Sequence, residues 1–214
     1  MKIKRILVCC LMIITVSFGA SLTLKAAIGV GAWDALALTG SSINGIQVGT
    51  VGMIFNFICI FIELIILKKD FKIKHALQIV LCFIIGCTIN LFFYDILGGI
   101  DLSNYFVRVT ILILGYVINA FTVAVIMLLD VVTFALEGAC MAISNKLGFK
   151  FHVFRQVVDI LCIIISIILA LIFDVPLAIR EGTLIGMLIF GPIMGIFMKL
   201  LKPIFKKYNL TDYA

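Results

Sequence analysis

The chain has 214 residues, of which 64% are hydrophobic and only 13% charged. A soluble domain carries about 25% charged residues, and soluble folds do not need repeated apolar runs of about 20 residues, the length that crosses a bilayer core. Net charge is +6 with no basic block alternating with aromatics, which points away from nucleic acid and toward basic loops that set membrane topology.

The chain opens with Met1-Lys2-Ile3-Lys4-Arg5 and then runs apolar over residues 6–24. Phe18 before Ala20 spoils a signal-peptidase site, and the run is long for a removable signal, so it reads as an uncleaved first transmembrane helix. Further spans are predicted over residues 48–67, 76–97, 106–129, 156–173 and 183–201. Each must be helical, because only intrahelical bonding satisfies the backbone in lipid. Two connections, 25–47 and 130–155, are long and still apolar. Residues 32–39 and 133–143 within them are expected to form half-helices that dip into the membrane.

Basic residues orient the spans. Placing both termini in the cytoplasm puts 14 of the 17 Lys and Arg on that side and leaves Lys25, Arg108 and Arg180 outside. The expected location is a bacterial inner (plasma) membrane, multi-pass. Seven Cys lie mostly inside apolar runs without a C-x-x-C pair, so they read as small apolar residues rather than a disulfide or zinc framework.

The two odd connections match each other. Asp34 precedes Gly45 by the same interval that separates Glu137 from Gly148, and Ser41 and Ser144 align at the same offset of 103. At that offset Asn56 corresponds to Asp159. The predicted fold class is therefore all-α: a polytopic membrane helical bundle of about six spans in two inverted three-span repeats, 1–105 and 106–214, with short interrupted or re-entrant helices. Such repeats place a binding site between the halves in many transporters.

Candidate site residues follow from the cost of polar groups at membrane depth. Asp34 follows Gly29-Val30-Gly31-Ala32-Trp33 and is placed to N-cap a short helix or to face a cavity. Trp33 suits a membrane interface. Glu137 has only apolar or small neighbours from Phe134 to Ala139. Arg155 and Asp159 are four apart and share a helix face. Together with Asn56 these six are the expected substrate-binding positions. Glu63 reads as snorkelling or pairing with Lys68 and Lys69. Pro192 is expected to kink the last span, and Gly191 and Gly195 to permit close helix packing. No metal-protease, P-loop or nucleophile-elbow motif is present. Neither an enzymatic activity nor a cofactor or metal is expected.

The stretch Lys25-Ala26-Ala27-Ile28-Gly29-Val30-Gly31-Ala32-Trp33-Asp34-Ala35-Leu36 resembles the signature after the first span of the YczE/YyaS/YitT group of bacterial membrane proteins, most closely its YczE branch. Glu181-Gly182-Thr183-Leu184 leading into Phe190-Gly191-Pro192 is also similar to that group. Ala32 stands where the group usually has Pro, and Arg180 where many members have Gly. The resemblance implies a multispan plasma-membrane protein and supplies no activity. Beside the lipid bilayer, two partners are expected in the alternative: an unknown small molecule or ion carried by a permease, or a protein partner of a membrane-embedded regulatory or accessory protein.

Overall fold

A computed structural model describes residues 2–71 and 73–207. Lys72, one of the basic residues used for orientation, and the segment after Lys207 lie outside the described residues. Among the described residues there are eight α-helices and no strand: α1 Lys2–Ala26, α2 Ala32–Asn44, α3 Val48–Leu67, α4 Ile73–Asn90, α5 Tyr105–Leu129, α6 Ala135–Leu147, α7 Phe151–Ile172 and α8 Glu181–Lys207. A single π-helical turn, Leu91–Ile96, prolongs α4. Six of these stretches are long and apolar enough to cross a bilayer: Lys4–Ala26, Val48–Asp70, His75–Ile96, Tyr105–Leu129, Phe151–Ile172 and Glu181–Lys207. The chain is a multi-pass membrane protein. Its many exposed Leu, Ile and Phe side chains, such as Phe106, Leu171 and Leu188, are the surface that lipid covers.

The fifth span starts at Phe151, five residues before its predicted start. Arg155, just before the predicted start, pairs with Asp159 along the helix and does not interrupt it.

The two short helices are equal in length, 13 residues each. Their starts, Ala32 and Ala135, and their ends, Asn44 and Leu147, are each separated by 103 residues. The same interval separates the starts of α3 and α7, and both ends of α1 and α5. Each short helix stops on a glycine in the left-handed region, Gly45 (φ 66°) and Gly148 (φ 75°), whose N–H donates to the carbonyl of Ser41 or Ser144. That conformation is open to glycine and strained for most other residues, so both helices end at a fixed point and the chain reverses into the next span.

Packing brings together elements far apart in the chain. Helix α1 packs chiefly on α5, α2 on α7 and α3, and α6 on α3 and α7; α4 covers α3 and α1, and α8 covers α5. The α1–α5 contact is close because Gly115 has no side chain. A Cβ there would lie 2.7 Å from Thr23 Cγ2 and 2.9 Å from the Gly19 carbonyl oxygen. The first amides of α3, which have no partner inside the helix, are satisfied by α4 and its π turn: Val48 N–H donates to Tyr94 Oη (3.1 Å) and Gly49 N–H to Asn90 Oδ1 (2.8 Å). By contrast, a Cβ at Gly191 or Gly195 would meet nothing within 4 Å. The close packing expected at those glycines is absent within the chain, because that side of α8 has no helix laid against it.

Candidate functional site

Asp34 and Glu137 are each the third residue of a short helix. The preceding chain fixes where α2 begins. Gly182 N–H donates to the Ile28 carbonyl (2.7 Å), holding the Gly29–Gly31 strap against the start of α8. The helix therefore starts at Ala32, the N-cap is Gly31, and no side-chain cap bond forms. Asp34 is thus not the N-cap that its sequence position suggested. It lies inside the first turn, as Glu137 does in α6, where the free amides favour negative charge.

Arg155 gathers the charged groups. Its Nε lies 3.5 Å from Glu137 Oε1, and its Nη1 donates to Asp159 Oδ1 one turn further along α7. These side chains are only partly exposed: 23% for Arg155, 35% for Glu137 and 32% for Asp159. Asp34, on α2, makes no ion pair with that guanidinium but feels its charge. Burial pushes its carboxyl up to about 6, and the Arg155 charge opposes that rise. Counted as formal charges, three carboxylates and one guanidinium leave the cluster at −2, or −1 when Asp34 is protonated.

An apolar cavity of about 280 Å³ adjoins this cluster. Trp33, Leu136, Phe154 and Val158 line it, each immediately preceding one of Asp34, Glu137, Arg155 and Asp159. On all three helices, adjacent residues thus serve an apolar chamber and a charged edge. Cys140, also in the wall, senses that edge: burial chiefly, with Glu137 and Asp159 adding to it and Arg155 opposing, brings its thiol up to about 11. Trp33 packs edge-on against Phe55 with ring centroids 6.0 Å apart. Its place is therefore in the chamber wall and not in the polar cluster.

Of the six expected positions, Asp34, Glu137, Arg155 and Asp159 come together, and Trp33 lines the neighbouring chamber. Asn56 is half-buried on α3 without a hydrogen bond and does not join the Arg155 cluster. Sequence reasoning missed the rest of the chamber, because Leu136, Phe154 and Val158 look like ordinary lipid-facing residues. It also misplaced Glu63, which is 2% exposed and bonded to His75 Nδ1 at 2.5 Å, with no pairing to Lys68 or Lys69. Among the described residues no group of three or more His, Cys, Asp or Glu could hold a metal ion.

A family described as "Family of unknown function (DUF6198)" matches residues 3–199. "Uncharacterized protein YyaS" of Bacillus subtilis (strain 168) is 23% identical over 201 residues, covering 94% of this chain and 96% of that protein. No solved structure matches.

Proposed function

Since this chain belongs to the DUF6198 family of unknown function, its activity must be read from its own geometry, and we propose that it is a permease for small organic cations. The observation that carries this reading is the Arg155 cluster, negative overall, set beside an apolar chamber of about 280 Å³. A cationic head would lie among Asp34, Glu137 and Asp159, and an apolar body would fill the space against Trp33. Carboxylates at membrane depth need such a partner or water.

The two halves, 1–105 and 106–214, are related by an inverted repeat, with both termini cytoplasmic. Support comes from the constant interval of 103 residues between matching elements and from the exchange of α2 and α6 between halves. Three spans per half is an odd number, which inverts the second half, and the basic loops set the direction. Reporter fusions should read cytoplasmic at Lys150 and external at Asp101. The same side at both would break the six-span topology.

Trp33 is the single tryptophan of the chain and lines the chamber, so its fluorescence reports on occupancy. Titrating the purified protein with tetramethylammonium, choline and benzylammonium should give a saturable change for at least one of them. Affinity should rise as pH passes through about 6, where Asp34 gains its charge. No change with any of the three would remove the substrate class. Recovery of a stoichiometric protein partner together with that silence would favour the accessory-protein reading.

A further inference from the structure

A second cavity, with several polar side chains in its wall, lies where α3, α4 and α6 meet, at residues that the Arg155 cluster does not use. It has a volume of about 110 Å³. Glu63 and Gln78 line its floor and are almost completely buried, at 2% and 1% exposure. His75, Thr133 and Asn145 contribute further polar groups, and exposed Asn145 and Met141 stand at the mouth.

Two acceptors in the floor have no hydrogen-bond partner, Glu63 Oε2 and Gln78 Oε1. A buried acceptor left unpaired costs about 1–3 kcal/mol, and more if charged. The other Glu63 oxygen is occupied by His75 Nδ1. With the ring proton on Nδ1, His75 donates that bond. Gly138 keeps the space open. A Cβ there would sit 2.8 Å from Glu63 Oε2 and 2.9 Å from Gln78 Nε2.

We propose that this cavity binds one monovalent alkali cation, held by Glu63 Oε2 and Gln78 Oε1 beside the bare backbone of Gly138. The donor set selects the ion class. One carboxylate with neutral amide and hydroxyl oxygens matches a single hard positive charge, whereas zinc-type ions take His and Cys and divalent hard ions usually take several carboxylates. The volume of about 110 Å³ admits an ion that keeps some of its water.

The test uses the full chain in detergent at fixed pH and ionic strength. Melting temperature is compared in lithium, sodium and potassium chlorides. At about tenfold saturation the preferred alkali ion should raise it by about 3–5 °C over the least effective one, with a saturable dose response. Glu63→Gln should abolish the response. Glu137→Gln should keep it, which separates this site from the Arg155 cluster and from the permease reading. Calorimetric titration of the unmutated protein with the same salts should give one site, and does not depend on any variant folding. Equal melting in all three salts together with no calorimetric binding would overturn the proposal, as would an undiminished response in Glu63→Gln.

Discussion

Arg155→Ala should lower stability by about 2–4 kcal/mol, at the lower end of the cost of stripping one partner from a buried ion pair because the cluster keeps some solvent contact. In thermal unfolding that is a fall of roughly 4–16 °C at about 2–4 °C per kcal/mol. The cause is not the lost attraction alone. Glu137 and Asp159 pair with this guanidinium, and Asp34 on α2 feels its charge. Its removal leaves the two paired carboxylates without their cation, so α6 loses its anchor on α7. Arg155→Lys should lie between, since an ammonium keeps the charge but not the forked geometry that reaches Glu137 and Asp159 together. Adding Glu137→Gln to Arg155→Ala should restore part of the loss. Equal stability of Arg155→Ala and the parent protein would mean that the cluster is solvated and holds nothing.

Glu137→Gln should have the opposite profile, with little loss of fold and a large loss of function. Gln keeps the shape and can still accept a bond from Arg155 Nε. The variant removes one of the three negative charges beside the chamber. A cation that relied on that charge should bind and move at least about tenfold less well, a difference of about 1.4 kcal/mol. Asp34→Asn should weaken binding in the same direction at pH 8 and much less at pH 5, because below about 6 the Asp34 carboxyl is already neutral. Insertion and expression should be unchanged in both variants.

The spans were legible because apolar length is a local property. The two short helices were legible because Asp34–Gly45 and Glu137–Gly148 repeat one pattern, and a glycine able to take positive φ marks each end. The pairing of Arg155 with Asp159 followed from helical spacing alone. What connects those residues across helices was not legible. Nothing in the local sequence says that Glu137 meets Arg155, that Asn56 stays apart, or that Trp33 turns into a chamber. Glu63 was misread for a similar reason: Lys68 and Lys69 are near in sequence, but His75, beyond the loop, is near in space. The start of α2 was set from a distance too, by Gly182 of α8 bonding Ile28.

The most direct measurement is flux into liposomes that contain only the purified protein. Tetramethylammonium, choline and benzylammonium would be tested for saturable, protein-dependent uptake, with Glu137→Gln reconstituted in parallel. Permease action at the Arg155 cluster predicts uptake of at least one of these cations by the parent protein and its fall by at least about tenfold in Glu137→Gln. Absence of uptake for all three, or equal uptake by the two proteins, would contradict it.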